Sequence, residues 1–239
     1  MGFATAQIGA KTDSGLAGGP TAPLNAIELA MTDPTALGLE DLEVDALTEL
    51  VNLGVSRAAL ALRELVGEQV FLSVPSLSVL SKPEAAESIR GANGRDLIAV
   101  RQAFEGEFSG RALLIFPEAN SLELVRAVAG DHLSLTDIAE LEDEALAEIG
   151  NIILNSCIGT ISNLLQHSLT MSLPEILRGH GVDFFDLSKP AIEDVVLFIR
   201  INFSLHGREI SGYLALVMDL PSLAALKRLV AAFIDRTIA

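Results

Sequence analysis

The stretch DALTELVN at residues 45–52 returns as EALAEIGN at residues 144–151, and the reading of this pair decides the fold. Glu49 and Asn52 recur as Glu148 and Asn151, and Pro75 recurs as Pro174, all at an offset of 99 residues. Further on, FSGRALLIF at 108–116 recurs as ISGYLALVM at 210–218 with an offset of 102, so a three-residue insertion separates the two matches. Self-similarity of this kind marks a duplicated structural unit. Each half predicts the same order: a helix with a polar trio, a second helical stretch, a strand near the proline, a β-hairpin and a closing helix. The hairpins are DLIAVRQAFEGEFSGRALLIF and DVVLFIRINFSLHGREISGYLALVM, with alternating and β-branched character on either side of Gly106 or Gly207. The closing helices, SLELVRAVAG and SLAALKRLVAAF, are each expected to open on a capping serine, Ser121 or Ser222. The expected fold is therefore α+β: one internally duplicated pseudo-twofold domain, with the β-hairpins joined in a central sheet and long helices packed on it. It spans residues 37–239, in repeat halves of about 37–133 and 134–239. Residues 1–36, rich in Gly and Pro around a short apolar island at 23–31, read as a flexible N-terminal extension.

The two recurring octets have helical phasing. Residues at i, i+4 and i+7 share one stripe of a helix, so Asp45, Glu49 and Asn52 project together while Leu47, Leu50, Val51 and Gly54 supply the opposite and flanking surface. In the second copy Glu144, Glu148, Asn151 and Asn155 form the stripe, with Ala145, Ile149, Ile152 and Ile153 turned inward. A single polar stripe of this sort is ordinarily a solvated helix face. Its repetition in the same register, each time with a proline 22 intervening residues after the asparagine, marks it as a candidate site.

Composition limits the chemistry. A chain of 239 residues with 50% apolar content can bury a substantial core. Thirty-two acidic against sixteen basic side chains give a net charge of −16, which repels a phosphate backbone, and no basic patch opposes that field; nucleic acid is not an expected partner. His132, His167, His180 and His206 are scattered and form no spaced ligand set with each other or with Cys157, so no metal site is expected. The lone Cys157 lies in an apolar helical pattern, which fits a buried thiol, a reducing compartment and a cytoplasmic location. No run of apolar residues reaches the roughly 18 to 20 needed to span a bilayer, and the N-terminus lacks the pattern of a secretory signal. GxxxxGK[ST], GxGxxG and GxSxG are absent. Carboxylates, amides and whatever a partner brings must supply the reactive groups.

The combination Asp45-x3-Glu49-x2-Asn52-x22-Pro75 and Glu144-x3-Glu148-x2-Asn151-x22-Pro174 resembles the signature of the CheC, FliY and CheX phosphatases of bacterial chemotaxis, namely Asp or Ser, three residues, Glu, two residues, Asn, 22 residues, Pro. The resemblance covers about residues 37 to 236 and includes the internal duplication typical of CheC. The first copy matches at all four positions. The second departs at its first, where Glu144 carries the acid on a longer arm. The resemblance implies a phosphatase that hydrolyses the aspartyl phosphate of a CheY-type response regulator, whose own pocket holds the Mg²⁺ and a lysine, so that the chain needs no cofactor of its own. It implies that Asn52 and Asn151 position the attacking water, that Glu49 and Glu148 pair with the regulator's lysine, and that Asp45 and Glu144 support the binding interface. Pro75 and Pro174 are expected to be structural. The deamidase CheD is a further expected partner, and the alternative reading is a non-catalytic CheC-like binding protein for a response regulator or for CheD. A flagellar-switch role like that of FliY is disfavoured because no further domain follows Ala239.

Overall fold

In a computed structural model of the chain, residues 39–67, 69–90, 96–129, 135–187, 194–205 and 208–238 are described. The expected extension at 1–36, with its apolar island, lies outside them. The first helix, α1 (Asp41–Val66), is set by its ends: Glu40 and Glu43 form a reciprocal capping box, with the Glu40 N–H donating to Glu43 Oε2 at 2.8 Å, and Gly67 closes it in the left-handed region at φ 75°. Then follow β1 (Phe71–Ser81), α2 (Lys82–Arg90), β2 (Leu97–Gly106), β3 (Gly110–Pro117), a 3-10 turn (Glu118–Asn120) and α3 (Ser121–Ala129). The second half repeats the series with α4 (Leu135–Leu164), β4 (Leu169–Met171), β5 (Glu175–Gly179), α5 (Gly181–Phe184), β6 (Asp194–Leu205), β7 (Arg208–Asp219) and α6 (Leu220–Ile238).

The seven strands form one sheet in the order β1-β6-β7-β3-β2-β4, with β5 also on β2, and every pairing is antiparallel. The two hairpins meet at the β3–β7 pair, as the duplication predicts. What the repeats did not predict is an exchange. Strand β1 of the first half pairs with β6 of the second, and β4 and β5 of the second half pair with β2 of the first. Neither hairpin finds its outer partner within its own repeat. The two motif prolines sit in these exchanged strands. Pro75 lies where the β1 register shifts between Ser73 and Ser76, and Pro174 lies in the gap between β4 and β5. A residue without an N–H is tolerated at such bulges and breaks.

Two sequence expectations are corrected. The second helical stretch stands after the proline strand (α2 and α5), not before it, because α1 and α4 run on unbroken through their apolar periodicity. The serines are not the caps expected: α6 begins two residues before Ser222, whose N–H donates to Asp219 Oδ1 at 2.8 Å; the Ser222 hydroxyl, and after it this backbone bond, hold the Asp219 carboxyl below its usual range. Ser222 Oγ instead accepts the Ser109 N–H at 3.1 Å, tying α6 to the hairpin of the other half. The Ser121 hydroxyl donates to the Glu118 carbonyl at 2.8 Å and also meets Glu142 on α4.

Alternation along the strands divides the core. One face, with Val79, Val100, Phe104, Leu114, Leu197 and Leu214, packs against α1, α3, α4 and α6; the other, with Ala99, Leu113, Ile115, Val196 and Phe198, packs against α2 and α5. Under α2 the fully buried Lys82 is ion-paired with Asp194 of the second half. A charge taken out of water is tolerated only with such a partner. The segment Glu140–Leu164 of α4 is long and apolar enough to cross a membrane by composition, and 56% of its most apolar window is buried inside the fold, as befits a core helix.

Helices α1 and α4 approach closely at Gly54, where an added Cβ would lie 2.7 Å from Cys157 Cα. Gly54→Ala gains roughly 1 kcal/mol in helix propensity but forces the two helices apart against backbone, and overpacking of this kind costs about 1–3 kcal/mol or more. The net expectation is a fall in Tm of about 2–8 °C, read by calorimetry. Gly159→Ala is the opposite case, since nothing lies within 4 Å of its added Cβ; Tm should stay level or rise. The Cys157 thiol at the same contact is fully buried, and burial pushes its pKa to about 12. Ellman's reagent at pH 8 should therefore report no reactive thiol in the native protein and one after denaturation.

Candidate functional site

The motif residues stand where helical phasing puts them. On α1, Leu47, Leu50, Val51 and Val55 are buried, while Asp45 and Glu49 are exposed and Asn52 is half-buried. On α4, Leu146, Ile149 and Ile153 are buried, Glu144 and Glu148 are exposed, and Asn151 is half-buried. Each helix thus presents an acid and an amide one turn apart at the edge of its outer face. The two helices pack on each other, joined at Gly54 against Cys157 and by Arg57 Nη1 donating to Thr160 Oγ1 at 3.2 Å. Asp45, Glu49, Glu144 and Glu148 have no ion pair among the described residues. Neighbouring acids are differently disposed. Arg178 on β5 takes Asp143 at 2.5 Å, Glu142 at 3.4 Å and Glu118 at 3.5 Å, and the Asp143 contact holds the guanidinium above its ordinary pKa. The motif carboxylates, by contrast, have no counter-cation among the described residues.

The two asparagines differ in their surroundings. Gly150 rests directly on Val100 of β2, and this close approach brings Asn151 over the buried Gln102 of the same strand. Gln102 Nε2 donates to Asn151 Oδ1 at 3.1 Å and to the Ser172 carbonyl at 2.8 Å, and Asn155 Nδ2 donates to the same Asn151 oxygen. Gln102 Oε1 is buried without a partner. The Asn151 amide is therefore anchored through its oxygen. Asn52 makes no side-chain hydrogen bond to any described residue, so its carboxamide keeps both donor and acceptor free. By hairpin register the second-half counterpart of Gln102 is apolar: Gln102 faces Ala112, and Ile199 faces Leu214 at the repeat-equivalent place. Sequence reasoning missed Gln102 and Ser172. The available signal was a glutamine at an inward position of β2, between Val100 and Phe104, where the alternation calls for an apolar side chain. Among the described residues no three His, Cys, Asp or Glu side chains are grouped closely enough to hold a metal ion.

One duplicated sheet, two packed helices and a repeated Glu-x-x-Asn on their outer faces define a class, and comparison with known proteins names it. The family model for the chemotaxis phosphatase CheX matches residues 98–192, a span that includes the whole of the second motif. The CheY-P phosphatase CheC of Bacillus subtilis is 24% identical over 197 residues, covering 77% of this chain and 92% of that protein. The flagellar motor switch phosphatase FliY of the same organism is 21% identical over 183 residues, 74% of this chain but 46% of FliY. In three dimensions the fold matches Thermotoga maritima FliY with a TM-score of 0.65 at 16% identity, covering 83% of this chain and 98% of that one. The chain is similar in sequence to the chemotaxis phosphatases CheC, CheX and FliY and shares the fold of FliY.

Proposed function

We propose that the protein hydrolyses the aspartyl phosphate of a CheY-type response regulator and that helix-borne asparagines position the attacking water. The observation that carries this reading is the double presentation of an unpaired glutamate one turn before a half-buried asparagine, on two helices of the same chain. An acyl phosphate is already activated. What its hydrolysis lacks is a water held in line with the leaving oxygen, and fixing that water converts an improbable encounter into a near-attack arrangement. Asn52 suits the task because it can accept from the water and donate at once without changing charge. Glu49 and Glu148 pair with a lysine of the regulator's pocket, where a partly desolvated ion pair sets the register more than the affinity. Asp45 and Glu144 extend the same acidic edge. The regulator's Mg²⁺ neutralises charge on the phosphoryl group, and this chain supplies no ligand to it. The B. subtilis relative bears the name CheY-P phosphatase, in agreement with this substrate. The direct test is to mix the protein with phosphorylated regulators of the same source and follow release of inorganic phosphate; loss no faster than the regulator's own would end the proposal.

A second reading applies to the second site. Because Asn151 Oδ1 is already engaged by Gln102 and Asn155, its amide offers donors only. This favours docking over turnover there, for a response regulator or for CheD. On either reading the chain needs no metal of its own. Activity should survive treatment with a chelator once excess Mg²⁺ is returned for the regulator; a stoichiometric metal whose removal abolished turnover under those conditions would count against this.

A further inference from the structure

Helix α1 keeps large apolar side chains on its outer face that the described residues leave largely exposed: Leu42 is 53%, Leu53 43% and Leu60 61% exposed. At about 100° per residue, positions 42, 49, 53 and 60 lie within about 20° of one line, so the leucines form a stripe that runs through Glu49 and alongside Asn52. Single exposed leucines are ordinary on protein surfaces. Here the duplicated half provides an internal comparison. At the equivalent positions of α4 stand Leu141, 40% exposed, and the half-buried Ile152, again on either side of the glutamate and again with the asparagine immediately before the second apolar residue. Two copies that have diverged elsewhere both hold an apolar residue three positions before the first acid and another directly after the asparagine. Ile152 also packs partly against the core, whereas solvation favours none of the exposed Leu42, Leu53 and Leu141.

We infer that these residues are apolar anchors for the partner, seating the phosphorylated regulator on each helix with its cation between two desolvated contacts; the inference rests on the substrate reading given above. Charge and shape agree on the occupant: a surface that presents one cation, for Glu49 or Glu148, flanked by apolar groups spaced to meet Leu42 and Leu53, about 17 Å apart along the helix axis. The copies differ in one anchor. The place of Leu60 is taken by Gly159, where an added Cβ would meet no atom within 4 Å. The first helix therefore grips over a longer stretch than the second. A ring of apolar contacts around a desolvated ion pair is the arrangement in which such a pair gains most strength.

The test uses the full chain with Asn151→Ala, so that turnover reports the first helix, and the phosphorylated regulator of the same source as substrate. Leu42→Ala and Leu53→Ala should each raise KM about three- to tenfold, the scale of one partly buried leucine, with kcat within about twofold and Tm unchanged. Leu53→Met should restore KM. In the reciprocal Asn52→Ala background, Gly159→Leu should lower Kd for the regulator carrying a non-hydrolysable phosphoryl mimic by adding the missing anchor. Unchanged KM in the leucine variants, with turnover intact, overturns the inference, as does a change in sedimentation without a change in KM, which would assign the stripe to self-association. Binding of the regulator carrying a non-hydrolysable phosphoryl mimic separates the two levels. If the parent binds without turnover, the catalytic reading falls and the same leucine substitutions must still weaken Kd for the anchors to stand. If the parent neither binds nor turns over, both are overturned.

Discussion

Replacing both Asn52 and Asn151 with Ala is expected to reduce phosphate loss from the regulator to its own slow rate, while complex formation persists. Alanine retains helix propensity, and neither asparagine is fully buried, so the fold survives the change. Loss of one group that acts on the transition state commonly costs on the order of 10² to 10³ in rate at that site. The single variants discriminate further. Asn52 has a free carboxamide, whereas Asn151 is held through its oxygen by Gln102 and Asn155, so Asn52→Ala should remove the larger share of activity. Glu49→Ala and Glu148→Ala should weaken docking as well as turnover, since the ion pair forms before the chemistry. Single-turnover kinetics with the phosphorylated regulator read all four. A double asparagine variant as fast as the parent would transfer the chain to the binding-protein reading.

Neither repeat half is expected to fold alone. A fragment of residues 37–133 keeps α1 and the β2–β3 hairpin but loses β6, the only strand bonded to β1 among the described residues, and loses β4 and β5 from the outer edge of β2. It also loses Asp194, leaving the fully buried Lys82 without its carboxylate, and removal of one partner from a buried pair costs about 3–5 kcal/mol on its own. Against a total stability of about 5–15 kcal/mol for a domain, these losses exceed what the fragment can supply. Circular dichroism should show no cooperative thermal transition for 37–133 or for 134–239 separately. Co-expressed, the halves should associate and regain one, because every exchanged strand then finds its edge. A fragment that melted cooperatively by itself would refute the exchange of strands.

How much of this was legible beforehand follows from the range of the forces involved. The repeat, the helical stripes of Asp45, Glu49 and Asn52 and of Glu144, Glu148 and Asn151, and the two hairpins follow from periodicity within 10 to 30 residues, which depends on geometry local to the chain. The burial of Leu50 and Ile149 and the exposure of Glu49 and Glu148 came out as that phasing required. Helix ends were less legible. Whether Ser222 or Asp219 caps α6 turns on a side-chain choice between near neighbours, and the choice was settled when Ser222 was taken by the Ser109 N–H across the repeat boundary.

The amino-acid sequence by itself determined the duplication, the element types and the composition of both polar edges, since each is a matter of spacing along one helix or one hairpin. Only the tertiary structure decided which edge strand joins which hairpin, because two similar repeats offer β1 two nearly equivalent partners and the long-range packing of the whole sheet selects between them. It also decided that the two sites are unlike. The motif reads the same at Asn52 and Asn151, and the difference arises beneath the helix, where Gly150 settles onto Val100 and brings Gln102, distant in the chain, within hydrogen-bonding reach of one amide and not of the other.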